Sequence, residues 1–112
     1  MLDAVSRELE KYMDLVATRQ KLVAANIANA DTPGYRTQDI DFQEEFQNLL
    51  PGEKPKVVNV TNLKMRNDGN NVSIDRESRM LAENDLRFRM AESLLKSNFS
   101  TIKMAIEGEK SS

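Results

Sequence analysis

Two stretches of this chain carry an apolar or small residue at every seventh position, and that spacing limits its folds more than any other feature. Leu2, Leu9, Val16, Val23 and Ala30 form the first series; Ile74, Leu81, Phe88, Leu95 and Ile102 form the second. A seven-residue repeat lines up along one side of an α-helix, where it meets a partner helix. Three residues further on come Val5, Tyr12, Arg19 and Asn26 in the first stretch, and Glu77, Asn84, Ala91, Asn98 and Ala105 in the second. The spacing therefore predicts two amphipathic helices, over about 2–30 and 74–107, each with polar or small residues at its second seam position.

Charge patterning supports both helices. Asp3 and Arg7 stand at i,i+4, as do Asp75–Arg79, Glu83–Arg87, Asp85–Arg89 and Glu92–Lys96. Each such pair adds about 0.2–0.5 kcal/mol to an isolated helix. Asp75 is the expected N-cap of the second helix and Gly108 its expected stop. Between Lys21 and Asp31 the first helix has no charge: LVAANIANA is uncharged on every side, so neighbours are expected to enclose it.

Residues 31–73 read as a connector. Thr32-Pro33-Gly34-Tyr35 fits a type II turn, with proline fixing φ at the first central position and glycine accepting positive φ at the second. In DIDFQEEFQNLL, Asp41 and Glu44 form a capping-box pattern ahead of a short helix. Phe42, Phe46, Leu49 and Leu50 would share one face, and Pro51-Gly52 would end it. KPKVVNV suits a brief strand, and RNDGNN a loop or hairpin tip. The chain thus divides into an N-terminal core helix (1–30), the connector with its TPGY turn (31–73), and a C-terminal core helix and tail (74–112), acting as one unit. The fold class is mainly α: two long terminal helices pair as an antiparallel coiled-coil-like hairpin. An irregular connector joins them, with a short helix and room for a small β-hairpin.

Composition narrows the function. With 112 residues, no cysteine, no histidine and no tryptophan, the chain offers no disulfide, no thiolate or imidazole metal ligand and no histidine general base. The net charge of −2 arises entirely in 31–73, and no basic stripe suggests nucleic acid. No apolar run approaches the roughly 20 residues that span a bilayer, and the charged first residues do not form a cleaved secretory signal. Asp39, Asp41, Glu44 and Glu45 cluster, but capping and solvated-face roles account for them. NDGNNVSIDRE fails the EF-hand pattern, since Asn71 falls where that loop needs glycine. No catalytic, cofactor or metal site is expected. Two helices with so few aromatics bury little unaided, because ordering entropy consumes most of the gain; the seams call for copies of the chain or a partner.

Asn26 and Asn29 are the sharpest local anomaly, since asparagine is a poor helix former and a buried amide without partners is costly. They either fray a helix end or hydrogen-bond, across packed helices or to the turn backbone at 31–35. Asn84 and Asn98, at seam positions, can fix register at some cost in stability.

At RQKLVAANIANADTPGYRTQDIDF, residues 19–42, the chain resembles the bacterial flagellar rod, hook and related axial proteins. Their N-x-A-N-x-x-T-P-G-Y signature maps onto Asn26, Ala28, Asn29, Thr32, Pro33, Gly34 and Tyr35. The short length, the RQ before the motif, the DIDF after it and DGNNVSIDRE before the last helix are similar to the proximal-rod members. The resemblance implies a structural subunit of the flagellar basal-body rod and not an enzyme. Its terminal helices would fold on assembly into a helical axial tube that transmits torque and encloses the export channel. It implies export through the flagellar type III apparatus without a cleaved signal, and a place in the periplasmic rod near the inner membrane. Implied partners are other rod proteins, copies of the chain itself, a basal-body adaptor protein and the export gate, with no nucleic acid, no small-molecule substrate and no membrane span of its own. The middle is too short for the large outer domains of hook-type relatives, which fits a slim core role. The helix-packing interface expected from the spacing comprises Leu2, Val5, Leu9, Tyr12, Val16, Val23, Ile74, Leu81, Asn84, Phe88, Ala91, Leu95, Asn98 and Ile102. The rival reading is a free-standing helical adaptor or chaperone-like protein of the export system; a small acidic hydrolase is remote.

Overall fold

A computed structural model describes residues 3–111. The elements follow the order α1 (Ala4–Ala28), β1 (Gln38–Ile40), α2 (Phe42–Asn48), β2 (Val57–Asn59) and α3 (Ile74–Ser111). The molecule is elongated, 71 × 25 × 18 Å, because α1 and α3 lie side by side and antiparallel. Ser6 meets Asn98 near one end of that pairing, and Gln20 meets Asn84 further along it.

Both long helices begin on a side-chain cap. Asp3 accepts from the Ser6 amide at 2.8 Å to start α1. At α3 the cap is Ser73, not Asp75: the Arg76 amide donates to Ser73 Oγ at 3.2 Å, and the Glu77 amide to the Ser73 carbonyl. Ser73 is the last residue before the helical run, so its hydroxyl reaches the free amides, whereas Asp75 already sits in the first turn. Gly108 does not stop α3, which continues to Ser111. Its φ is not positive, and glycine inside a helix costs only about 1 kcal/mol. All four anticipated ion pairs along α3 form, at 2.6–3.5 Å on the helix surface.

On α3 the pairing seam differs from the apolar repeat. On α3 the positions sealed against α1 are Glu77, Asn84 and Ala91, the polar and small series, with Asn98 half-buried at its end. The apolar series flanks that seam: Phe88, Leu95 and Ile102 are half-buried, while Ile74 (51%) and Leu81 (41%) are exposed. On α1 the sealed residues are Ser6, Leu15, Val16, Val23 and Asn26. Small and polar residues let the helix axes approach, and the large side chains are left to cover the edges.

The connector packs on the second side of α1. Asp41 caps α2 by accepting from the Glu44 amide at 3.3 Å. Tyr12 meets Phe42 and Phe46 edge-on, with ring centroids 5.1 and 5.8 Å away; each such pair adds about 0.5–1.5 kcal/mol beyond burial. Arg19 and Arg87 lie over Phe42, from α1 and α3 respectively. Leu50, expected on the same face, is exposed instead, because α2 ends at Asn48 and the chain turns away. The β-hairpin is built by β1 and β2, antiparallel with Asp39 opposite Val58, and it encloses α2. RNDGNN is a turn without flanking strands, closed by the Arg66 amide on the Asn70 carbonyl and the Gly69 amide on the Arg66 carbonyl, both at 2.9 Å.

Candidate functional site

The signature residues gather where α1 ends, the chain turns and α3 begins. Asn26, fully buried, faces the chain after the turn. Its Nδ2 donates to the Gln38 carbonyl at 2.9 Å, and its Oδ1 accepts from the Gln38 amide at 3.1 Å and the Tyr35 hydroxyl at 3.0 Å. Asn29 closes the helix: Nδ2 donates back to the Ala25 carbonyl at 2.8 Å while Oδ1 accepts from the Thr32 hydroxyl. The two amides therefore bond to their own helix end and to the chain beyond the turn, not across packed helices. Asn84 and Asn98 do reach across, to Gln20 and to Asp3 and Ser6.

Thr32–Tyr35 forms the expected turn. Tyr35 N donates to the Thr32 carbonyl at 3.2 Å, and Gly34 has φ +77°. Pro33 and Ala28 are exposed and position the backbone only. What holds the turn comes from far along the chain. Asn70 Nδ2 donates to the carbonyls of Asn29 and Thr32, both at 2.9 Å, and its Oδ1 accepts from the Val72 amide. Asn71 Oδ1 accepts from the Thr37 amide at 2.7 Å, and its Nδ2 donates to the Val60 carbonyl. The Gly34 amide donates to the Asp68 carbonyl at 2.9 Å, and Arg66 donates to the carbonyls of Ala30 and Val72. Gly69, at φ +84°, lies so near that a Cβ there would sit 3.4 Å from Gly34 Cα. Residues 66–73 thus clamp 26–37.

A charge cluster lies beside this clamp. Asp39 accepts from Arg19 at 2.9 Å and from Arg76 at 2.7 Å, and Arg76 also pairs with the buried Glu77 at 2.7 Å. One carboxylate therefore ties α1, β1 and α3 together. Burial, then the charge of Glu77, pushes the Tyr35 hydroxyl above its ordinary value, and the hydroxyl donates to Asn26. Sequence reasoning missed Thr37, Asp39, Asn70, Asn71, Arg76 and Glu77. The Asp68-Gly69-Asn70-Asn71 run ahead of α3 marks a turn, but nothing in its spacing links it to Asn26. No cluster of metal-ligating side chains occurs among the described residues; the site's polar groups are used on one another except Glu77 Oε2, which is buried without a hydrogen-bond partner.

Of the other expected packing residues, Val16 and Val23 are buried with Asn84 and Ala91, and Leu9 and Tyr12 are half-buried. Val5 is 56% exposed. Leu2 lies outside the described residues.

A buried asparagine clamp at the base of a helical hairpin is an arrangement suited to architecture. Comparison with known proteins decides which. The family described as "Flagella basal body rod protein" matches residues 13–36, which hold α1's second half and the whole turn motif. The chain is 34% identical to the flagellar basal body rod protein FlgB of Escherichia coli K12, over 84% of this chain and 86% of that one. This chain belongs to the FlgB family of flagellar basal body rod proteins. Identity to the Salmonella typhimurium LT2 FlgB is 32% over 96% of both chains, and to the Borreliella burgdorferi FlgB 26% over 87% of this chain and 91% of the relative. Membership makes this FlgB-family chain a structural subunit of the flagellar basal body rod, assembling with other rod proteins. No described helix is long and apolar enough to cross a membrane.

Proposed function

We propose that this rod subunit joins its wall by finishing its fold there: the clamped base holds α1 and α3 together, and neighbours cover the exposed apolar side chains of α3. The observation that carries this reading is that exposure. Leu86, Met90, Leu94 and Met104 on one side of α3, and Phe99 and Ile106 on the other, are all exposed. Past Asn98, opposite the start of α1, the last thirteen residues of α3 extend for about 20 Å beyond the pairing described with α1. A helix carrying large apolar side chains without a wall gains little by standing alone. Packing of these side chains supplies the missing burial.

The finer placement belongs to the same proposal. Passage through the flagellar type III apparatus as an unfolded chain, residence in the periplasmic rod near the inner membrane, and contact with an adaptor protein and the export gate all suit a slim, marginally stable hairpin. The tube of such subunits would transmit torque around an export channel. The reading assigns the chain no catalytic role.

Hydrogen–deuterium exchange on the purified chain at two widely separated concentrations tests this. The expected result is protection of 26–38 and 70–77 at both concentrations, with fast exchange of 99–108 that slows only in the concentrated, assembled sample. Uniform strong protection, unchanged on dilution, would overturn it in favour of a self-sufficient adaptor.

A further inference from the structure

A second unpartnered apolar surface lies at the same end of the molecule as the α3 tail. Between α1 and α2 runs an open groove of about 340 Å³, lined by Ala4, Val5, Glu8, Leu9, Tyr12 and Phe46. We propose that this groove receives the α3 tail of a second copy of this chain. The proposal rests on the rod-subunit reading above and names the contact by which one copy holds the next.

Spacing supplies the first argument. The groove presents Val5, Leu9 and Tyr12, separated by four and then three residues. Read backwards, the tail presents Ile106, Ile102 and Phe99, separated by four and then three. Antiparallel helices with these spacings bring Ile106 to Val5, Ile102 to Leu9 and Phe99 to Tyr12, each pair on one helical face. Charge supplies the second, because this register sets exposed Lys103 beside Glu8 on the groove's rim. Continuity supplies the third. Within one chain Ser6 lies level with Asn98 and Gln20 with Asn84. The docked register slides that alignment by one seven-residue repeat, about 10 Å along the helix, so the repeat meets α1 in the same phase.

A chain's own tail does not fill its own groove, since α3 runs straight past Asp3 as one continuous helix. Tail and groove are different surfaces, so the contact is heterologous: every copy offers its tail to one neighbour and its groove to another. Contacts of this kind repeat into an open helical array and do not close into a dimer.

The absence of cysteine makes a direct test available. Two forms of the full chain, Val5→Cys and Ile106→Cys with different tags, replace the native copy together in flagellated cells, and swimming is scored before oxidation. Both positions are about half exposed, so the hairpin tolerates the change. The expected result is swimming cells in which disulfides join the two differently tagged forms, several-fold more than when Ile74→Cys replaces Ile106→Cys. Swimming cells with no such excess, or with Val5→Cys joined to another rod protein, overturn the contact while leaving the rod-subunit reading intact. Cells that fail to swim even with the untagged native chain restored count against that reading instead. Should the cysteine forms alone abolish swimming, the charge pair decides. Glu8→Lys and Lys103→Glu each weaken self-association of the purified chain about two- to fivefold, the span of an exposed ion pair, and restore it when combined; failure to restore overturns the register.

Discussion

Asn26 treats Gln38 as a strand would: the side-chain amide gives one hydrogen bond to its carbonyl and takes one from its amide, at 2.9 and 3.1 Å. A buried helical residue thereby satisfies both backbone groups of a residue twelve positions on, and the cost of placing asparagine in a helix is offset by two bonds and the Tyr35 hydroxyl. Alanine here leaves three polar groups without their partner. Asn26→Ala is expected to destabilise the clamped turn by about 1–3 kcal/mol, the penalty of unsatisfied buried groups. Asn26→Asp costs more, because a carboxylate then faces the Gln38 carbonyl. Faster exchange of the Gln38 amide in both variants, fastest in the aspartate form, checks this; unchanged exchange refutes it.

Tyr35 adds a smaller share. Its hydroxyl donates to Asn26 Oδ1, which keeps the Gln38 amide as a second donor. Tyr35→Phe is therefore expected to cost only about 0.5–1.5 kcal/mol, an ordinary net hydrogen bond, as read from the urea midpoint of the clamped turn. A loss equal to that of Asn26→Ala would mean that the tyrosine, not the amide pairing, organises the turn.

The two turn glycines act through φ. Gly34 (+77°) has open space where a Cβ would stand, and at Gly69 (+84°) the nearest atom is Gly34 Cα at an ordinary contact distance of 3.4 Å. Backbone conformation, not crowding, thus sets the cost of alanine at either site, about 1–2 kcal/mol. Gly34→Val, which adds a β-branch in the left-handed region, should block rod formation while leaving export intact. Secretion of the variant by cells that build no rod is the expected observation, and normal rods would sink the turn argument.

How far these features were legible follows from their range. The seven-residue spacing, the acid–base pairs and the TPGY turn are local, so sequence displays them, and the Asp41 cap and strand 57–59 were equally readable. Strand β1 was not: QDI is three residues long with a charged centre, and it exists because Val57–Asn59 pairs with it and Asn26 holds Gln38. The clamp by Asn70 and Asn71 joins positions more than thirty apart, a distance at which one sequence carries no spacing signal. On α3 the apolar repeat also pointed one ridge away from the sealed seam, whereas Val16 and Val23 of the α1 repeat are sealed in it. Hydrophobic pattern marks the side of a helix that seeks partners. It does not say whether those partners lie within the chain or beyond it.

The end of the hairpin is tied by a titratable cap. The Ser6 amide, then the Ser6 hydroxyl, Asn98 and Arg7, hold the Asp3 carboxyl below its ordinary value of 3.8, against an opposing effect of desolvation. A carboxyl whose folded pKa is depressed binds its proton more readily in the unfolded chain. Its contribution is therefore present above about pH 3.8 and lost as pH falls through the lower folded value. Acidification below pH 4 should loosen the Asp3–Ser6–Asn98 corner before the clamp at 26–38, seen as early shifts of the Ser6 amide and the Asn98 side-chain amide in NMR spectra. Asp3→Asn should flatten that early transition; simultaneous loss of both regions would show that the corner has no separate titration.

Asn84 places a polar side chain in the sealed seam, with a 3.3 Å bond to Gln20 as its link to the facing helix. A seam asparagine fixes register and partner number at a cost in stability. Asn84→Leu is expected to raise the melting temperature of the hairpin, since leucine packs in the seam and Gln20, half-exposed, turns to water. The same change should relax alignment: α3 can slide along α1 by one repeat when no polar pair penalises the shift. Cells carrying the variant should then build fewer rods, counted in isolated basal bodies. A variant that melts higher yet builds rods normally would assign register to the clamp at 26–38 and 70–71, leaving the seam amide as packing alone.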